Sequence, residues 1–271
     1  MELRVLHTHE EFEAIEELQA EIWHFEPLSV TPRHVFIAGA RSGGLVLGAY
    51  DHNNRMVGFS LGFRGQRYGE PCLYSHLTGV LPSLQGQGLG CALKMAQWEF
   101  ARETGLSSIV WTFDPLMMPN AKLNLQKLGA VVYRFIPNAY GASAFKMYGE
   151  GFPTHRFEIF WRVAQELPNG IQLNRPQPFG AGKGSLSPMI EVRDGVPQVN
   201  EAGLEAVLAG QQGLLEIPEN HLAMRESEPE LARLWQNVFF HCAKHCLETE
   251  SHFVEAFTGI PSGGAYLVSP R

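Results

Sequence analysis

Val80-Leu81-Pro82-Ser83-Leu84-Gln85-Gly86-Gln87-Gly88-Leu89-Gly90 is the stretch on which the fold turns. It joins an apolar, β-rich run, Cys72 to Val80, to CALKMAQWEFARETG (91–105), where good helix formers carry Leu93, Ala96, Trp98 and Phe100 up to a stop at Gly105. A glycine run at a strand-to-helix junction lets successive backbone N–H groups converge on an anion, helped by the positive end of the helix dipole. Phosphate is the natural ligand. The dinucleotide fingerprint G-x-G-x-x-G is met at Gly86 and Gly88, but its third place falls on Cys91, and Asp114 comes too late for the acid expected about 20 residues further on.

Upstream of the loop, Leu3 to His7 predicts a strand, and EEFEAIEELQAEIW (10–23) puts Phe12, Ile15, Leu18 and Ile22 on one helix face. A turn at Pro27 to Pro32 precedes a short helix, His34 to Ala40, that ends at Ser42-Gly43-Gly44. Leu45 to Tyr50 and Met56 to Phe63, separated by Asp51-His52-Asn53-Asn54, predict a β-hairpin. Downstream come a strand at Ser108 to Phe113, a helix from Asn120 to Leu128 stopped by Gly129, and strands at Ala130 to Phe135 and Phe157 to Val163. This order predicts an α/β protein of the α+β type, with a mixed, mostly antiparallel sheet flanked by helices.

From Glu166 to Pro188 the composition shifts to Pro, Gly, Asn and Gln without a hydrophobic period, which reads as a linker. Its GAGKGS run (180–185) has Gln177 where a phosphate loop needs glycine, and no strand leads in, so it is rejected as a nucleotide site. Beyond it, Gly213 to Ile217 suggests a strand, Glu228 to Cys246 a helix, and Ser251 to Phe257 and Ala265 to Val268 two more strands. The expected organisation is a domain over 1–165, a linker over 166–188 and a small C-terminal α/β extension over 189–271.

The loop resembles the V-x-P-x-x-[QR]-x-x-G-x-[GA] signature of the GNAT acyltransferase superfamily, with every fixed position matched at Val80, Pro82, Gln85, Gly88 and Gly90. The block TFDPLMMPNAKLNLQKLGAVVYRFIPNAYG (112–141) is similar to a subgroup of predicted GNAT proteins with a C-terminal extension. The resemblance spans roughly residues 1 to 165. It implies that the strand before the loop splays from its neighbour, that the pantetheine arm of acetyl-CoA pairs with that strand in the gap, and that the loop amides hold the pyrophosphate. The implied cofactor contacts are Gly79, Val80, Gln85, Gly86, Gln87, Gly88, Leu89 and Gly90. Asn120 and Asn124, at i and i+4 on one helix face, are placed to contact the arm, though Asn120 also fits a helix cap.

Acyl transfer from a thioester to an amine needs a deprotonated acceptor, a polarised carbonyl and a proton for the leaving thiolate. Where the family commonly has a glutamate on the strand before the loop, this chain has Ser75 and His76. His76 is either the base or a hydrogen-bonded strand histidine. The family's Asn and Tyr positions in the helix after the next strand fall on Met118 and Leu125, so the usual general acid is absent. Tyr140 is the substitute chosen, ahead of Tyr148 and Tyr74. The acceptor side is expected from Trp23, His24 and Phe25 and from the segment Asn138 to Arg156. The extension, whose strand–helix–strand–strand order echoes the second half of the domain, reads as a degenerate half-repeat that completes or covers that side.

The remaining composition narrows the classes. The 271 residues are 45% hydrophobic and 18% charged, with 17 Phe and 5 Trp, which excludes disorder for the chain as a whole. A net charge of −7 without a basic run disfavours a nucleic-acid partner. No apolar stretch approaches a membrane span, the first twenty residues fit neither a secretory nor a transit signal, and Cys72, Cys91, Cys242 and Cys246 show no disulfide spacing. A cytoplasmic location is the expectation. His241, Cys242, His245 and Cys246 form two i,i+4 pairs about 100° apart on one helix, so no metal is assigned to them. The reading is an acyl-CoA-dependent N-acetyltransferase acting on a small-molecule or peptide amine, with a homodimer left open. Its rivals are a non-catalytic acyl-CoA-binding module and an interaction scaffold.

Overall fold

A computed structural model describes residues 1–24, 27–141, 152–163, 186–248 and 251–271. Two compact units divide the chain. The first holds Met1–Trp111 and the described residues from Trp161; the second holds the described residues of Thr112–Phe160 and those from 186 to Arg271. The Pro/Gly-rich segment read as a linker, with its GAGKGS run, lies outside the described residues up to 185.

The first unit runs β1 (Glu2–Val5), α1 (His9–Trp23), α2 (Arg33–Arg41), β2 (Leu45–Tyr50), β3 (Met56–Arg67), β4 (Glu70–Val80), α3 (Leu89–Glu103) and β5 (Ser108–Phe113), whose last two residues belong to the second unit. Strands β1 to β4 pair antiparallel in sequence order, and β5 lies parallel to β4. Helix α1 starts on a capping box, in which Thr8 Oγ1 accepts from the Glu11 amide and the Glu11 carboxylate accepts from the Thr8 amide. Its expected stripe of Phe12, Ile15, Leu18 and Ile22 is buried. Gln19 on the same face donates to Thr31 O and accepts from Thr31 N, fixing the path from α1 to α2. These helices and the apolar side chains of β2 and β3 form one core with Val80, Leu89 and Leu93.

The second unit begins with α4 (Met118–Ala121), followed by a widened turn over Lys122–Lys127 rather than the regular helix predicted for 120–128. Then come β6 (Val131–Ile136), β7 (Arg156–Arg162), β8 (Ser187–Pro188), β9 (Ile190–Arg193), β10 (Val196–Val199), α5 (Glu201–Leu208), β11 (Gly213–Pro218), α6 (His221–Ser227), α7 (Pro229–Leu247), β12 (His252–Ile260) and β13 (Gly263–Pro270). β12 pairs with β6 at Val254↔Val132, so the extension continues the sheet begun by β7 and β6. Phe157, Phe239 and Tyr266 close the core between that sheet and α7. Cys242 and Cys246 face inward onto Met189, whereas His241 and His245 are on the exposed side of α7. Among the described residues no helix is long and apolar enough to cross a membrane.

Candidate active site

β4 and β5 form a fork. They pair at Cys72↔Ser108, Leu73↔Ile109 and Tyr74↔Val110, and from Ser75 to Val80 the ladder of β4 runs to β3 alone. Past Tyr74 the β5-facing edge of β4 therefore offers backbone donors and acceptors to an added extended chain. Opposite β3 the register slips: Gly62 faces Ser75 and Leu61 faces Leu77, which leaves His76 as the extra residue of a β-bulge. A bulge bends its strand and re-aims the side chains around it.

At the far end of this edge the chain makes a single tight turn at Pro82–Leu84 and then the glycine loop. Gln85 Nε2 donates to Val80 O at 3.1 Å and Gln87 Nε2 to Ser83 O at 3.1 Å, so both glutamine side chains brace the loop itself. Gly86 has φ 77° and Gly88, the cap of α3, φ 91°, a region costly for any residue with a Cβ. Nothing lies within 4 Å of where a Cβ would stand on either. The loop backbone is thus exposed and able to come close to a bulky anion, with the N-terminal turn of α3, the positive end of its dipole, behind it. Leu89 is buried in the core, and Gly79 is required by packing, since a Cβ there would meet Phe59 at 2.9 Å and Ile22 at 3.0 Å.

The His76 ring is open to solvent on one side and backed by Phe63 and Tyr74, at centroid distances of 5.6 and 6.5 Å. Partial desolvation holds its pKa below the ordinary histidine value, favouring the neutral imidazole that a base requires. Trp23 is half-buried against Phe59, and His24 ends α1 in a left-handed conformation. Phe25 lies outside the described residues.

A group absent from the sequence reading stands at the apex of the fork. Lys94, on α3, is 4% exposed; its Nζ donates to Ser75 Oγ at 2.8 Å and lies 3.9 Å from the centroid of the Trp111 ring. Ser75 and Trp111 are the first residues of β4 and β5 past their last pair. Burial lowers the Lys94 pKa to about 7. The signal was available: Leu89, Leu93, Lys94, Gln97, Trp98 and Ala101 form the buried face of α3, so Lys94 is a cation on an apolar stripe.

The other predicted residues belong to the second unit. Tyr140, 40% exposed, shares a 2.8 Å hydrogen bond between its hydroxyl and that of Thr112, and its amide donates to Thr154 Oγ1. Arg156 lies over its ring at 5.2 Å. Asn120 faces solvent while Asn124 is buried at 3% exposure, so the widened turn presents the two differently. Leu125, at the family's tyrosine position, is buried. Tyr148 and most of the segment from Asn138 to Arg156 lie outside the described residues.

Residues 9–129 match the family model described as Acetyltransferase (GNAT) family. Among solved structures it is similar to the ribosomal-protein-S18-alanine N-acetyltransferase from Escherichia coli, with 17% identity over 62% of this chain and 97% of the other and a TM-score of 0.47. It is also similar to aminoglycoside 6'-acetyltransferase type Ii, with 15% identity, 62% and 100% coverage and a TM-score of 0.47. The NatC complex bound to Gag peptide and CoA contains a chain matched at 16% identity, 60% and 100% coverage and a TM-score of 0.48. No curated protein matches the sequence.

Proposed function

We propose that the protein is an acyl-CoA-dependent N-acyltransferase that moves an acetyl group from acetyl-CoA to the amine of a small molecule or peptide. The observation that carries this reading is the fork itself, an open β4 edge leading from Ser75 to a glycine loop whose backbone is exposed at a helix start. Bound there, acetyl-CoA supplies the activated acyl group. The loop from Gln85 to Gly90, with Val80 and Gly79 behind it, holds the diphosphate, and β4 orients the arm. His76 takes the acceptor's proton as its nitrogen bonds to the thioester carbon, the C–S bond breaks as that amide forms, and Tyr140 gives the thiolate its proton. Of the two asparagines, the exposed Asn120 contacts the arm in this reading, and the buried Asn124 is not assigned to it. A reducing, cytoplasmic location goes with this reading, since the spacing of the four cysteines shows no disulfide framework.

Calorimetric titration with acetyl-CoA, followed by an amine panel with released thiol monitored, tests the reading. Binding and acceptor-dependent thiol release are expected; absence of binding would refute it. Gly88→Val is expected to weaken acetyl-CoA binding at least about tenfold, because the side chain enters the space the anion needs and φ 91° strains it. An unchanged affinity would remove the loop from the site. His76→Ala and Tyr140→Phe are each expected to lower turnover about a hundredfold with acetyl-CoA affinity retained, and full turnover in both would discard their assigned roles. The buried Leu125, where the family places tyrosine, favours one alternative, an acyl-CoA-binding module without catalysis. Binding without thiol release for any amine is its signature.

A further inference from the structure

An ammonium group is hard to keep in a protein interior, and Lys94 has no carboxylate to neutralise it: among the described residues its polar partner is the Ser75 hydroxyl and its other contact the Trp111 ring. The side chain is not filling space by chance. Alternation along β3 puts Ser60 and Gly62 on one face, and their register partners Thr78 and Ser75 share it with Lys94. Gln97, three residues along the same face of α3, is fully buried, and neither its amide nitrogen nor its oxygen has a hydrogen-bond partner; Ser60 Oγ and Thr78 Oγ1 have none either. In an otherwise apolar layer between α3 and the strands, Lys94, Gln97, Ser60, Ser75 and Thr78 are thus polar, and Lys94 and Ser75 stand at the fork apex.

The direction of the Lys94–Ser75 bond matters. While Lys94 is protonated it has donors and no acceptor, so below its pKa of about 7 Ser75 Oγ receives that hydrogen and its own hydrogen is released for another acceptor. The charge behind it also makes the hydroxyl a stronger donor. What that acceptor is follows from reach, and this step rests on the acyl-CoA reading above. From Val80 back to Ser75 is five residues, about 17 Å of strand. A pantetheine arm has as many backbone bonds as about four residues of extended chain. Four residues span about 14 Å, so an arm whose upper end lies at Val80 and that runs along β4 brings its thioester to the bulge at His76, one residue from Ser75.

We propose that Lys94 is a positioning residue for acyl transfer: held between Ser75 and Trp111 where β4 and β5 separate, it turns the Ser75 hydroxyl toward the thioester carbonyl, so that Ser75 stabilises the negative charge that develops on that oxygen. No proton leaves Ser75; it contributes a preorganised hydrogen bond, the kind of donor whose loss costs about a hundredfold in turnover.

The test uses [1-13C]acetyl-CoA bound to the full chain, with the thioester carbonyl band read by isotope-edited infrared spectroscopy and affinity by calorimetry. In the native protein the band is expected to shift to lower wavenumber relative to free acetyl-CoA. In Lys94→Met and in Ser75→Ala the shift is expected to be lost with affinity retained, and Lys94→Arg, which keeps the charge, restores most of it. Ser75→Ala removes a hydroxyl at a small, folded site, so the test survives any misfolding of a Lys94 variant. A band equally shifted in native, Lys94→Met and Ser75→Ala proteins would overturn the proposal while leaving acyl-CoA binding intact. Failure of the native protein to bind acetyl-CoA would overturn the acyl-CoA reading and this one with it.

Discussion

Lys94→Met is expected to be more stable than the native protein at pH 6 and to lose that advantage as the pH approaches 10. The folded chain holds the Lys94 pKa near 7 against an ordinary 10.5, and the cause is desolvation. Between those values the unfolded chain binds more protons than the folded one, so native stability rises with pH through this window. Below pH 7 the full cost is present. At about 1.4 kcal/mol per pKa unit, the shift amounts to roughly 3 to 5 kcal/mol. Methionine fills similar volume without a charge, and the strand residues beneath it, Ser60, Gly62, Ser75 and Thr78, include no acid whose pairing would be lost. Urea denaturation of both proteins from pH 6 to pH 10 checks this. The expected difference is about 3 kcal/mol or more at pH 6 and below about 1 kcal/mol at pH 10; a native protein more stable than the variant at pH 6 would mean that Lys94 has a stabilising partner. The same substitution removes the proposed support of Ser75, so stability and turnover are expected to move in opposite directions, as they do where an active site keeps a costly group.

What the sequence disclosed and what it withheld divide along the range of the interactions. The apolar stripe of α1 and the loop from Val80 to Gly90 are each set within a dozen residues and form where they were expected, and the capping box at Thr8 and Glu11, which was not read, is equally local. Lys94 is also local, yet motif reading passed over it because lysine is a good helix former; only its position on the buried face of α3 distinguishes it. The hairpin of β9 and β10 was missed for another reason. Asp194, at φ 52°, and Gly195 make a turn that favours a hairpin, while Pro197 is a residue that central strands exclude, and on this short two-stranded sheet its missing N–H is tolerated. The widened turn at Lys122–Lys127 was not legible either, since the difference between 120 and 124 lies in backbone winding that the pattern of residues does not encode. Least visible were pairs such as Thr112 with Tyr140 and Asp114 with Arg225, the latter 111 residues apart, because nothing in the chain between them specifies the meeting.

That last pair carries the second large effect. Asp114 and Arg225 are both almost fully buried, and Arg225 Nη2 donates to Asp114 Oδ2 at 2.9 Å while Asp114 Oδ1 accepts from the Leu116 amide. Arg225 Nε also donates to His221 Nδ1 at 3.2 Å, which leaves the His221 proton on Nε2, directed to Ala232 O. Burial lowers the His221 pKa, in keeping with a neutral ring. Tyr266 donates its hydroxyl to Pro115 O. Helix α6 and strand β13 thus hold the three residues Asp114 to Leu116 that follow β5. Arg225→Met leaves a buried carboxylate without its cation and is expected to cost about 3 to 5 kcal/mol. Asp114→Leu combined with Arg225→Met removes both charges, and that double variant is expected to recover much of the loss, as a double-mutant cycle by urea denaturation would show. Additive losses would mean that the pair contributes little beyond its packing. Thr112, which shares its hydroxyl's hydrogen bond with Tyr140, stands two residues before Asp114, so turnover assigned to Tyr140 is expected to fall in Arg225→Met beyond what the loss of folded protein explains. The residues after 185 therefore supply the grip on this segment, and a chain ending at 165 is expected to leave Asp114 and the edge of β6 at Val132 uncovered and to aggregate.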